Sequence, residues 1–223
     1  MTPQILYEDN HVIVAVKPQN MPSQADASCD MDFLTLLKRY VKEKYQKPGA
    51  VYLGLVHRLD RPAGGVMVFA RTSKAAARLS AQVRDHSLQK QYYAIVANAL
   101  PPEGAFSDEL LKDSRTNTTR VVPQGTQGAR HAELSYRTIR EKDGYSLADI
   151  SLITGRPHQI RVQFSHAGFP LVGDMKYGGA ANPRLCLWAY SLSFLHPTKK
   201  ERMTFTCPPP VCFPWTLLDA PPG

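Results

Sequence analysis

Along most of its length the chain is a succession of short β-branched and aromatic runs punctuated by turn residues, which restricts it to folds built on closely linked strands. ILYEDN and HVIVAVKP read as a hairpin closed at Asp9-Asn10, whose side chains favour turns. GGVMVFART, KQYYAIVANAL, AELSYRTIR, YSLADISLIT, LCLWAYSLSFL and RMTFTC continue the pattern, and the short links between most of them predict an antiparallel or mixed sheet. Two segments break the rhythm. In DFLTLLKRYVKEKY the apolar residues Phe33, Leu36, Leu37, Tyr40 and Val41 recur at helical spacing, with Asp30 or Asp32 as a cap. In TSKAAARLSAQVRDH, Thr72 or Ser73 can cap a helix that buries Ala76, Leu79 and Val83. Strands grouped with a few helices give an α+β class, a bent, mostly antiparallel sheet with flanking helices, rather than an alternating Rossmann pattern. The polar stretch from 101 to 131 is expected to be a long surface insertion, and residues 1–223 to form a single domain.

With 223 residues, 43% of them hydrophobic, the chain can bury a sizeable core without covalent staples. Cys29, Cys186, Cys207 and Cys212 lack the C-x-x-C spacing of a zinc site, and Pro208-Pro209-Pro210 stiffens the link between the last two. They are expected to be reduced thiols. No apolar run approaches a membrane span and MTPQILYEDNHV is not a secretory signal, so a cytoplasmic protein with no membrane contact is expected.

Lys plus Arg number 27 against 19 Asp plus Glu, a net charge of +8, which favours a polyanionic partner. The cations cluster. Lys38, Arg39, Lys42, Lys44 and Lys47 form one group, Arg71, Lys74, Arg78, Arg84 and Lys90 a second, and Lys199, Lys200 and Arg202 a third. Any one of these would pass as a solvated face; together they suit phosphate backbones.

The stretch VHRLDRPAGG sets Asp60 between Arg58 and Arg61. Flanking cations favour the charged carboxylate, fitting Asp60 for a nucleophile or base rather than an acid. Pro62, Ala63, Gly64 and Gly65 then offer a backbone that a flat ligand can approach closely. A surface ion pair before a turn would account for this stretch by itself. LITGRPHQIRVQFSHAG, however, adds Arg156, His158, Gln159, Arg161 and His166 after a strand, with Gly155 allowing a sharp turn and residues 158–164 opening a helix. Its two arginines can grip phosphate or pair with a buried carboxylate. In KQYYAIV, Tyr92 and Tyr93 point to opposite faces of a strand, so one can pack in the core while the other stacks on a base. No G-x-S-x-G elbow supports a Ser-His-Asp hydrolase, and His57 and His158 have no partners at metal-ligand spacing.

In combination these motifs resemble the RluA-type pseudouridine synthases, which isomerise uridine in RNA to its C-glycoside. The resemblance runs from LYEDNHVIVAVKP through HRLDRPAGGVMVFART, KQYYAIV, ITGRPHQIRVQF and PLVGDMKYGG to LWAYSLSFLHP. It implies that Asp60 is catalytic, that Tyr92 stacks on the target base and that Arg161 holds the aspartate, with Arg58 and Arg61 as further substrate-binding residues. It also implies no cofactor and no metal, a ribosomal or transfer RNA partner and, with no S4-like domain before the catalytic one, affinity from the core itself; a monomer is expected. Departures from the family pattern fall at Ala63, Gly64, Pro157, Gln163, Phe169 and Trp188. They bear on the substrate rather than the reaction. The competing expectation is a non-catalytic RNA-binding or ribosome-assembly protein of the same fold. A glycosidic-bond hydrolase would need a second carboxylate as acid, and Asp174 in VGDMKYGG is expected to be structural, bonded to its own turn.

Overall fold

A computed structural model describes residues 1–179 and 184–218. The fold is α+β and divides into two compact units, the first comprising Met1–Gln89 and Ser191–Cys207, the second Lys90–Tyr190 and the segment from Pro208.

In the first unit the expected hairpin forms. β1 (Gln4–Glu8) and β2 (Val12–Lys17) pair antiparallel, and the Asp9 carboxylate accepts from His11 N at 2.7 Å and Val12 N at 2.9 Å to close the turn. After α1 (Phe33–Lys44) and the two-residue β3 (Gly54–Leu55), β4 (Gly64–Ala70) pairs antiparallel with β2, Val12 opposite Ala70 and Lys17 opposite Gly65. Every residue of β2 and β4 is buried, as the continuous apolar runs VIVAVK and GGVMVFA require. Asp32, one of the two expected caps, accepts from Thr35 N, and α1 buries Phe33, Leu36, Leu37 and Val41, the Phe33 ring meeting Phe69 edge-on at 5.7 Å. Thr72 caps α2 (Ser73–Arg84) in the same way. Its buried residues are Ala75 and Leu79, one turn apart on one face, with Ala76 and Val83 only partly covered.

The second unit is a sheet in the order β5 (Gln89–Ala97), β9 (Tyr145–Leu152), β8 (Arg130–Lys142), β6 (Glu103–Asp113) and β7 (Thr118–Val122), every neighbour antiparallel. The stretch expected as a surface insertion is therefore ordered β-structure. Pairing of Glu103–Leu110 with Arg130–Arg137 satisfies its backbone, which a polar composition does not reveal. Helix α3 (Gln159–His166) covers one face: Val162 joins Leu110 and Ala132, while Phe164 meets Phe106 edge-on at 5.0 Å and Tyr136 at 5.4 Å. Strand β10 (Leu187–Leu195) passes from this unit into the first, where β11 (Arg202–Thr206) pairs with it antiparallel. The four cysteines form no disulfide. No helix among the described residues is long and apolar enough to cross a membrane.

Candidate active site

Asp60 lies in a turn between β3 and β4, its carbonyl accepting from Ala63 N at 3.0 Å. Three side chains fix the backbone around it. Ser23 Oγ donates to Leu59 O at 2.7 Å and accepts from Leu59 N at 3.2 Å; Lys17 Nζ donates to Arg61 O at 3.2 Å; Gln19 Nε2 donates to Pro62 O at 3.2 Å. The residues before and after the half-buried aspartate are thus pinned by separate anchors.

The least expected anchor is the charged one. Lys17 ends β2 with no solvent exposure and also donates to Pro18 O at 3.0 Å and Met21 O at 2.6 Å. Burial pushes its ammonium down to about 7, an effect opposed by the Asp60 carboxylate and reinforced by the Arg61 guanidinium. The sequence signal was a lysine closing an otherwise apolar strand; the acceptors that make it tolerable are backbone carbonyls scattered over 18–61.

The two arginines flanking Asp60 in sequence have different settings. Arg61 turns its exposed guanidinium to the carboxylate of Asp30 and to Ser28 Oγ, and this contact holds Asp30 below the usual carboxylate range. Arg58 is exposed and makes no hydrogen bond or ion pair among the described residues. Gly64 and Gly65, read from sequence as open backbone, are interior residues of β4; pairing with β2 covers them, and Gly65 takes the positive φ of 124° that only glycine adopts readily. Ala63, which departs from the family pattern, is also buried.

In the second unit Tyr92 sits on β5 opposite Ile150, 5% exposed. Its neighbour Tyr93 stacks on Tyr190 at 3.8 Å, and Tyr190 Oη donates to Asp149 at 3.0 Å. Burial first, then the Asp149 charge, raises both phenols. Arg161 lies on α3 and is buried. Its Nε and Nη2 donate to the two carboxylate oxygens of Asp174 at 2.7 and 2.8 Å, and its guanidinium lies 5.0 Å from the Tyr177 ring. Asp174 is therefore more than a turn former: it is the buried counter-ion of Arg161, presented after Gly173, where a side chain would collide with Arg184 O at 2.0 Å. His158, in left-handed conformation at the start of α3, shares a hydrogen bond with Tyr177 Oη at 2.6 Å. Gln163 and Trp188, two further departures from the family pattern, are buried, Gln163 donating to Asp108 at 2.7 Å. Among the described residues no cluster of three His, Cys, Asp or Glu side chains could hold a metal ion.

The sequence profile described as RNA pseudouridylate synthase matches residues 11–166. The chain is 32% identical to "Ribosomal large subunit pseudouridine synthase C" of Buchnera aphidicola subsp. Baizongia pistaciae, the match covering 92% of this chain and 66% of that protein. It is 33% identical to "Ribosomal large subunit pseudouridine synthase D" of Pseudomonas aeruginosa, covering 96% and 70%. It thus spans about two-thirds of the length of these relatives. Among solved structures, "Human RNA Pseudouridylate Synthase Domain Containing 4" shares the fold with a TM-score of 0.78 at 23% identity, covering 93% of this chain and 89% of that one. With HRLDRPAGG, KQYYAIV and GRPHQIR on the loop, strand and helix just described, the chain belongs to the RNA pseudouridylate synthase family.

Proposed function

We propose that this chain isomerises uridine to pseudouridine in structured RNA, with Asp60 as the catalytic carboxylate and residues 1–223 acting as one catalytic domain. The observation that carries the reading is the triple anchoring of Leu59, Arg61 and Pro62, which fixes the backbone on both sides of one acid in a basic protein. Asp60 attacks the sugar carbon or takes a proton from the sugar; the glycosidic bond breaks, the uracil turns, and C5 is joined where N1 had been as the bond to Asp60 breaks or the proton is returned to the sugar, after which C5 loses its hydrogen and N1 takes up a proton. The uridine must leave its stack to be reached, at a cost of a few kcal/mol that stacking on Tyr92 and phosphate contacts replace. Arg161, oriented by Asp174, is the partner proposed for the Asp60 carboxylate, and Arg58 and Arg61 bind RNA, a phosphate competing with Asp30 for Arg61. The names of the relatives favour ribosomal over transfer RNA as substrate. A cytoplasmic monomer is the expected working form.

The test is Asp60→Asn. It should bind RNA in a mobility-shift assay as the wild type does, while tritium release from RNA labelled at uridine C5 disappears. Release by that variant at wild-type rates would overturn the assignment; binding without release by the wild type would favour a non-catalytic RNA-binding protein.

A further inference from the structure

Two cations of the second unit have no part in these roles. Lys90 is the second residue of β5, opposite Leu152 and two residues before Tyr92; alternate residues of a strand share a face and lie about 7 Å apart. Its ammonium is half-buried and makes neither a hydrogen bond nor an ion pair among the described residues. It rests against Gly155, where a methyl group would meet Lys90 Nζ at 2.9 Å. The next residue is Arg156. Burial, and then the Arg156 charge, lowers Lys90 to about 8. Arg156 donates from Nε to His131 O at 2.8 Å, and its guanidinium has no carboxylate partner among the described residues. Glu109 and Glu133 turn their carboxylates towards the exposed His131 ring, 3.3 and 3.9 Å from its nitrogens, and form no ion pair with Lys90 or Arg156 among the described residues.

The loop that carries Arg156 is held firmly. Gln159, 3% exposed, accepts from Arg156 N at 3.0 Å and Thr154 Oγ1 at 2.7 Å, and donates to Glu133 O at 3.1 Å. Two mutually repelling cations are thus fixed together, one of them partly desolvated, with a bare glycine at their side. A purely structural role would call for a carboxylate between them. No described residue on the neighbouring elements forms an ion pair with either cation, which leaves the place of the counter-charge to a ligand.

We propose that Lys90 and Arg156 form a clamp for one phosphodiester of the RNA, adjacent to the nucleotide that stacks on Tyr92. The identity of the polyanion rests on the pseudouridine synthase reading; the anion site does not. Gly155 leaves room for the Lys90 ammonium to sit against the backbone beside Arg156, which supplies a planar donor fork.

The test uses the whole protein and a substrate RNA hairpin in which a methylphosphonate replaces the phosphate 5′ or 3′ to the target uridine, on a 2′-O-methyl sugar, against the same sugar with an ordinary phosphate. Wild type should lose about tenfold in affinity at one of the two linkages. Lys90→Ala/Arg156→Ala should bind the all-phosphate RNA about tenfold more weakly, show no further penalty from that methylphosphonate, and lose about one from the slope of log Kd against log salt. Lys142→Ala, a charge removed from the end of β8, should keep the wild-type methylphosphonate penalty. Gly155→Ala, which displaces the Lys90 ammonium without removing a charge, should weaken binding and shrink the penalty. Unchanged penalties at both linkages in the double variant would overturn the clamp. Turnover separates this from the parent reading: product formation with a KM unaffected by the double variant sinks the clamp alone, whereas coupled binding without product in the wild type sinks the catalytic reading alone.

Discussion

Lys17 Nζ donates to the carbonyl of Arg61 from a side chain with no solvent exposure, so the Arg61–Pro62 peptide, one residue beyond Asp60, is tied to a buried cation at the end of β2. Two more carbonyls, of Pro18 and Met21, complete its shell. Lys17→Met would leave three acceptors without a donor and should cost roughly 2–4 kcal/mol in chemical denaturation. It should also lower turnover more than RNA affinity, because it frees the loop and leaves the surface cations in place.

The same lysine gives a pH signature. Its folded pKa of about 7 lies below the ordinary 10.5, so between those values the unfolded chain holds a proton that the folded one has released. Its contribution to stability therefore rises with pH through that window and is constant below about 7. The stability of wild type minus that of Lys17→Met should grow between about pH 7 and pH 9.5. Lys90, at about 8, titrates in both proteins and cancels. A difference flat across that range would show that Lys17 is not buried as a strained cation.

Ser23 bonds both the carbonyl and the amide of Leu59 from a buried position. Ser23→Ala should cost about 1–2 kcal/mol. The informative measurement is local: amide hydrogen exchange at Leu59, Asp60, Arg61 and Ala63 should quicken while that of β2 and β4 stays at its wild-type rate, since only the loop loses an anchor. Equal acceleration across both strands would place Ser23 in the core's global stability instead.

What the sequence disclosed was what depends on neighbours in the chain. The Asp9 turn, the Asp32 and Thr72 caps and the extents of α1 and α2 follow from contacts within four residues, and the structure repeats them. The buried face of α2 shifted to Ala75 because helical spacing fixes the stripe's period but not which residue the partner element covers. Long-range facts were hidden. Gly64-Gly65 became strand interior because β2 pairs with it, the polar 103–130 stretch became β-sheet because β8 pairs with it, and Asp174 found Arg161 across 13 residues of chain. For the candidate site, HRLDR pointed to the acid proposed as catalytic; Lys17, Ser23 and Gln19, which fix its loop, bond to main chain and leave no pattern in side-chain identities.

Gln159 distinguishes amide from acid sharply, because one end accepts two hydrogens and the other faces the carbonyl of Glu133 at 3.1 Å. Gln159→Glu keeps the shape but sets a carboxylate oxygen against that carbonyl, so its folded pKa is raised. Such a group stabilises the fold when protonated and loses that contribution as pH rises through the folded value. The variant's melting temperature should fall below wild type at neutral pH, by the equivalent of roughly 2–3 kcal/mol, and the gap should narrow as pH drops towards about 5. A gap independent of pH would mean that the carboxylate turns out to solvent.

Arg161 and Asp174 form a bidentate pair in which both side chains are almost wholly buried. Removing one charge is worse than removing both, because the survivor loses its partner but stays out of water. Asp174→Asn should cost roughly 3–5 kcal/mol, and Arg161→Met a similar amount by exposing the carboxylate's loss of donors. Arg161→Met/Asp174→Leu should recover much of that loss, since an apolar pair of similar volume needs no solvation. Activity should not follow stability: if Arg161 orients Asp60 as proposed, the double variant stays inactive in the tritium-release assay although it melts near wild type. Recovery of both together would assign the pair to folding alone and remove Arg161 from the catalytic group.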